Sequence, residues 1–194
     1  MRLAHSLVLW LWVAFFICWL VLAQFNKKAS PGAPWRMALG VRLTVVLVAV
    51  LLVLTSRRQA PDFFASIGGV LAMHAGVAGQ WLGVGLCLAG FAFAVWARLH
   101  LGRNWGMPMS LRQGHELVTS GPYAYVRHPI YTGILLAMIG SMLARGLVWL
   151  LPFFLGFAYF LFSARTEEKM MVAQFPEAYP AYRQRTRMLI PFLL

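Results

Sequence analysis

The stretch from Leu7 to Ala23 carries no charged residue and is about as long as the ~20 residues that a helix needs to cross the hydrocarbon of a bilayer. This feature limits the fold most, because it recurs. A second apolar stretch runs from Leu43 to Thr55 or Ser56 and extends back past Arg42, whose long stem can carry its charge to the interface. A third covers Trp81 to Leu99. The last block, Ile130 to Phe162, is broken at Ala144-Arg145-Gly146. That break leaves two segments of about 14 to 17 residues, each short for a full span, and predicts a tight helical hairpin. A secretory leader would want more than Arg2 before the first apolar run and a small-x-small cleavage site after it. Gln24-Phe25-Asn26-Lys27-Lys28 follows instead, so the first span is read as a retained helix.

The fold expected is all-α, an integral membrane bundle of about five transmembrane helices. Only 11% of the residues are charged, against about 25% in a soluble domain. One membrane domain, 1–194, is expected to hold three N-terminal helices in 1–99. A loop, the hairpin and an amphipathic tail follow in 100–194, the tail with a helix from Ala164 to Phe175. Cys18 and Cys87 lie inside apolar runs and give no framework of bridges or metal-spaced thiols.

Charge sets the orientation. The chain has 17 Lys+Arg against 5 Asp+Glu, a formal net charge of +12. No polar surface is left for a nucleic acid to dock on, so the surplus is read as loops on the cytoplasmic side of a membrane. An external N-terminus puts 13 of the 17 cations inside and leaves Arg2, Arg57, Arg58 and Arg145 outside. The expectation is a multi-pass protein with its N-terminus outside and its C-terminus cytoplasmic. Arg183, Arg185 and Arg187 in the tail are then suited to anionic headgroups.

The five acids are Asp62, Glu116, Glu167, Glu168 and Glu177, and four of them fall in the polar loop and the tail. Transporters spend ionisable groups inside their spans; here the polar chemistry lies at one face. Arg127 and His128 precede Pro129, which suits the first turn of a helix. A guanidinium beside a helix N-terminus makes a fork for a carboxylate or phosphate, although Arg, His and Tyr also serve as plain interfacial anchors. Glu167-Glu168 has two readings as well. It is either a salt-bridge partner of Arg165 or Lys169, or it faces the Arg-His pair across a pocket for a zwitterion.

Taken in order, His115-x-Leu117-Val118-x-x-Gly121-x-Tyr123, Arg127-His128-Pro129-x-Tyr131-x-Gly133, Arg165-Thr166-Glu167-Glu168 and Tyr179-x-x-Tyr182 resemble the isoprenylcysteine carboxyl methyltransferase family. The likeness spans about residues 98 to 192 and extends more loosely to phospholipid N-methyltransferases. It implies S-adenosylmethionine as methyl donor and a lipophilic or prenylated acceptor, with 100–194 as the methyltransferase core. By position, His115, Leu117 and Val118 would line the adenosine side. Tyr123, His128 and Tyr131 would close over the cofactor, and Glu167 would meet its amino-acid end. Arg127 and Arg165 would orient the donor or an acceptor carboxylate, and Glu168 is the base candidate for an amine or thiol acceptor.

Methyl transfer from a sulfonium is an in-line displacement that asks for approach geometry and exclusion of water, not a metal. His100, His115 and His128 have no Cys or Asp partner at metal-ligand spacing. Membrane sterol reductases using NADPH carry a similar Arg-His-Pro-x-Tyr-x-Gly stretch, commonly with an acid where this chain has Ile134. A basic-tailed membrane adaptor is the non-catalytic rival, and Glu167-Glu168 argues against it. Gly79-x-x-x-Gly83 is read as a close-packing motif inside the monomer. Trp10, Trp12, Trp19, Trp81, Trp96 and Trp149 are read as lipid-facing or belt aromatics, and Asn104-Trp105 as pocket floor or interfacial turn.

Overall fold

The architecture comes from a computed structural model that describes residues 2–24, 76–105 and 116–190. Five α-helices make up most of the described residues: α1 (Arg2–Ala23), α2 (Val77–Leu101), α3 (Pro129–Arg145), α4 (Leu150–Gln174) and α5 (Ala178–Arg185). Single 3-10 turns lie at Gly102–Asn104, Gly121–Ala124 and Leu147–Trp149. The expected second span, from Leu43, lies outside the described residues.

Three helical stretches are long and apolar enough to cross a membrane: Leu3–Leu22, Val77–Leu101 and Leu147–Gln174. α3 has 17 residues, about 25 Å at 1.5 Å per residue, which falls short of a ~30 Å hydrocarbon layer. The hairpin turns at the expected place, because Gly146 takes a φ of 99° that other residues avoid. The second arm differs from expectation. It does not stop near Phe162 to let a separate tail helix begin at Ala164. α4 runs unbroken through Ser163 to Gln174, since Ala164-Arg165-Thr166-Glu167-Glu168-Lys169 holds no Gly or Pro to end it.

Two arginines fix how the helices run. Arg98, near the end of α2, donates to the Leu22 carbonyl at the end of α1 (2.7 Å) and to the Gly102 carbonyl (2.8 Å). Arg145, at the end of α3, donates to the His5 carbonyl near the start of α1 (2.9 Å). α1 and α2 are therefore parallel, and α3 is antiparallel to both. α4 returns to the end where α1 and α2 finish.

The tightest seam lies between α2 and α3. A Cβ at Gly83 would stand 2.5 Å from the Gly140 carbonyl oxygen, and one at Gly90 would stand 2.5 Å from that of Gly133. Two glycines seven residues apart on each helix thus let the backbones touch. The motif expected at Gly79-x-x-x-Gly83 is only half of the story: Gly83 is in the seam, and its packing partner along α2 is Gly90.

The tryptophans divide. Trp10, Trp81 and Trp96 are exposed, as lipid-facing rings would be. Trp12 and Trp149 stack on each other at 5.3 Å, and Trp12 sets its edge on Phe91 and donates to Ser141 Oγ (3.0 Å). Trp19 packs on Phe15 and Trp105. These three are half-buried between helices, where their rings pack on one another and on Phe15, Phe91 and Trp105 and the Trp12 indole N–H finds a partner. Trp105 also lies under the Arg98 guanidinium, 4.7 Å from its ring centre.

The seam makes a clear prediction. Gly90→Val forces a methyl-bearing carbon into backbone and should cost upwards of about 3 kcal/mol. Gly85→Val meets nothing within 4 Å and should melt within a few degrees of the parent, as read by thermal unfolding in detergent.

Candidate functional site

The polar residues gather at the end of the bundle where α1 and α2 finish and α3 begins. Gly121 opens the turn with a φ of 58°, and its missing side chain leaves room for the His100 ring, which would lie 2.7 Å from a Cβ there. His100 Nε2 also pairs with Ser120 Oγ at 2.9 Å. The chain then passes through Tyr123, whose carbonyl accepts from the Tyr182 hydroxyl (2.7 Å), and extends over Val126 to His128 before α3.

The tail lies alongside this extended piece. The Arg127 N–H donates to the Arg187 carbonyl (2.8 Å), and the His128 N–H donates to that of Met188 (3.0 Å). Thr132 Oγ1 donates to the Leu189 carbonyl, and Leu189 is fully buried beside Tyr123, Ile130, Tyr131 and Ala164. Main-chain carbonyls of the tail thus occupy donors that an anion would have used.

Side chains close the rest. Arg127 Nε donates to Glu168 Oε1 at 2.6 Å, with both side chains buried. Its guanidinium also donates to the Thr186 and Arg183 carbonyls. His128 lies between the two acids, Nδ1 3.4 Å from Glu167 Oε2 and Nε2 3.7 Å from Glu168 Oε1. Tyr131 donates to Glu167 Oε1 at 2.5 Å, and its ring is stacked between His128 (5.5 Å) and Phe160 (4.7 Å). Arg183 Nε stands 3.6 Å from Glu168 Oε2. Burial pulls the His128 pKa down, but the two carboxylates outweigh it and hold the ring above its ordinary value of 6.5.

Five of the residues picked from sequence therefore form one network: Arg127, His128, Tyr131, Glu167 and Glu168. The partners of the two acids are neither Arg165 nor Lys169, both exposed, but Arg127, His128, Tyr131 and Arg183. The open fork expected at Arg127 is filled by Glu168 and by tail carbonyls. Tyr123 is buried and Val118 half-buried in the adjoining cluster, and Leu117 is half-buried. His115 lies outside the described residues. Among those described, no group of three or more His, Cys, Asp or Glu is arranged for a metal ion. Sequence reasoning missed Thr186 and Leu189, which act here through their carbonyls, and gave Arg183 to headgroups although both its carbonyl and its Nε reach the network. Tyr179-x-x-Tyr182 was the one visible sign that the tail packs.

Residues 82–173 match the isoprenylcysteine carboxyl methyltransferase family. This segment contains the whole side-chain network except Arg183. This segment, just under half of the chain, is similar to that family. The match begins inside α2, earlier than the motifs suggested, and ends before the tail. The protein-S-isoprenylcysteine O-methyltransferase of Schizosaccharomyces pombe is 43% identical over 82 residues, 41% of this chain and 34% of that one. A cobalt-zinc-cadmium resistance protein of Cupriavidus metallidurans is 36% identical over 99 residues, 48% of this chain and 44% of its own. A solved structure of a eukaryotic intramembrane Ras methyltransferase, an isoprenylcysteine carboxyl methyltransferase, superposes with a TM-score of 0.53 at 30% identity, covering 57% of this chain and 41% of that one. The chain thus spans less than half the length of each of these proteins. With three helices long and apolar enough to cross a membrane, it is a multi-pass membrane protein.

Breaking the network by Glu168→Gln leaves a buried guanidinium facing a neutral amide and should cost about 3 kcal/mol or more, seen as a lower melting temperature. The His128 pKa is raised on folding, so the stability it lends is whole below pH 6.5 and lost as pH climbs through the raised value. The melting temperature should therefore fall on the alkaline side of 6.5, and His128→Gln should flatten that slope.

Proposed function

We propose that the chain is an S-adenosylmethionine-dependent methyltransferase acting on a lipophilic acceptor, most like an isoprenylcysteine carboxyl O-methyltransferase. The observation that carries this reading is that the family segment 82–173 holds the Arg127–Glu168 and Tyr131–Glu167 contacts at one end of a membrane bundle.

The donor supplies an electrophilic methyl on a sulfonium. Joining it to a carboxylate oxygen as the carbon–sulfur bond breaks cancels one positive and one negative charge and moves no proton. The residues suit such a ligand. Glu167 keeps about a quarter of its side chain exposed, whereas that of Glu168 is buried at 6%, so Glu167 is the carboxylate placed to face the donor's ammonium. His128 and Tyr131 stack as a flat wall beside it. Leu117 and Val118, with His115, line the adenosine side, and Tyr123 backs the wall from the core. Arg127 and Glu168 act on these groups by holding them in place, and both acids reach one imidazole because of it. Arg165, exposed on α4, is the cation left to lead an anionic acceptor in.

The state of Glu168 bears on the acceptor. An amine or thiol needs a base, and Glu168 is bound to Arg127 at 2.6 Å. An acceptor that gives up no proton fits better, which is a carboxylate. Its apolar remainder can stay in the bilayer while the site excludes water. The single membrane domain keeps its core in 100–194, with α2 contributing. The C-terminus is cytoplasmic and the N-terminus external. The parallel run of α1 and α2 is what a returning span between them would produce.

Membranes expressing the protein should pass label from the methyl group of S-adenosylmethionine to a base-labile ester on a prenylated cysteine. Glu167→Gln should weaken donor binding at least about tenfold, one charge-assisted hydrogen bond. A reporter fused after Leu194 should be cytoplasmic, and external labelling there would reverse the orientation.

A further inference from the structure

Two buried side-chain atoms at the site's end of the bundle have no hydrogen-bond partner among the described residues: His128 Nε2 and Ser163 Oγ. The first faces the Glu168 carboxylate at 3.7 Å, so its charge is met even without a hydrogen bond. Ser163 has no such compensation, and it is fully buried. A buried hydroxyl in this position usually bonds back to the carbonyl four residues earlier. Other hydroxyls in this chain do so: Ser141 bonds to the Ala137 carbonyl (2.8 Å) and Thr166, on the same helix, to that of Phe162 (3.0 Å). A native orphan of this kind asks for a partner that arrives with a ligand.

Its place on α4 says which part of a ligand. Phe160, three residues before Ser163, stacks on Tyr131, and Glu167, four residues after, accepts from the Tyr131 hydroxyl. Residues at these spacings share one face of a helix, so the Ser163 hydroxyl belongs to the face that meets the start of α3. α4 approaches the site from the opposite end of the bundle, so Ser163 lies one turn, about 6 Å, on the bilayer side of Glu167. Aromatic and aliphatic residues continue below it, through Phe160 and Phe157.

We propose that Ser163 is a ligand-contacting residue whose hydroxyl donates a hydrogen bond to the carboxylate of the lipophilic acceptor. This assignment rests on the methyltransferase reading and deepens it. With the donor's ammonium at Glu167, a group one turn toward the bilayer is level with the polar end of a molecule whose tail stays in lipid. An acceptor carboxylate that reaches this face of α4 leaves water and needs a donor. A second buried cation there would hold it as an ion pair and quench its attack, whereas a hydroxyl supports it through one neutral hydrogen bond. No proton has to leave Ser163 for the ester to form.

The test uses the full chain in detergent with S-adenosylmethionine as donor and N-acetyl-S-farnesyl-cysteine as the prenylated carboxylate. Ser163→Ala should raise the acceptor KM about tenfold, the loss of one hydrogen bond to a charged group, while the donor Kd stays within about twofold. Without ligands its melting temperature should be unchanged or higher, because the substitution removes an unsatisfied buried hydroxyl. Ser163→Cys, of similar size and a weaker donor, should give an intermediate KM. An unchanged acceptor KM in both variants, a donor Kd that rises in step with it, or a ligand-free melting temperature that drops would each overturn the assignment. Parent protein that neither binds the donor nor methylates the probe would overturn the methyltransferase reading itself, and this assignment with it.

Discussion

Burying the Arg127 guanidinium is the most demanding thing this chain does, and the rest of the site is arranged to satisfy it. A charge taken out of water at the edge of a bilayer loses hydration that only close, well-aimed partners restore. Glu168 supplies the counter-charge at 2.6 Å, and the carbonyls of Thr186 and Arg183 accept from the remaining donors. Those partners come from α4 and from the tail, so one side chain ties its own turn to two other pieces of sequence. His128 and Glu167 are carried along: once Arg127 fixes Glu168, the adjacent acid and the adjacent imidazole meet at 3.4 Å.

Arginine does similar work elsewhere, and composition explains why. With only 5 acids for 17 cations, most arginines have no carboxylate available, and the main-chain carbonyls at helix ends are the natural acceptors. Arg98 bonds to the Leu22 carbonyl, Arg145 to that of His5, and Arg127 to that of Thr186. A guanidinium offers five donors in a planar fork; at Leu22 and Thr186 it meets carbonyls of helix C-termini, which carry a partial negative charge, whereas His5 lies in the first turn of α1 and lends only its carbonyl oxygen. Arg98 thereby closes the end of α1 and sets it parallel to α2. The bundle's alignment and its site are built from one chemical motif, repeated at both ends.

How much of this the sequence discloses depends on whether the information sits in side chains. The spans from Leu7 and Trp81, the break at Gly146 and the pairing of the Arg127 stretch with the two acids are legible because charge, hydropathy and glycine carry them. The identity of Arg127's partner is not: a guanidinium fits a ligand carboxylate and Glu168 equally well, and only the approach of α4 decides. The tail's carbonyls have no signature at all, since every residue owns one. The tryptophans mislead for a related reason. An indole suits an interface and a helix contact alike, and Trp12 turns inward onto Phe91, Trp149 and the hydroxyl of Ser141, 129 residues away in sequence. The unbroken α4 was hidden by hydropathy, which drops at Ser163 although helix-forming character does not.

The tail then has an unusual standing. The family segment stops at residue 173, yet Arg183, Thr186, Arg187, Met188 and Leu189 all touch the Arg127–Thr132 turn. What the tail offers there is backbone geometry, plus three side chains that must be large to keep it in place: Tyr179, Tyr182 and Leu189, all buried. A segment recognised through its carbonyls tolerates wide change at its other positions, because a substitution leaves the acceptor where it was. Such a segment can close a site without resembling its counterparts in sequence. Past the boundary of the matched segment, backbone carbonyls carry most of the contacts, with the Tyr182 hydroxyl and Arg183 Nε added, and the physical site runs about fifteen residues further, to the point where Leu189 enters the core beneath Tyr131.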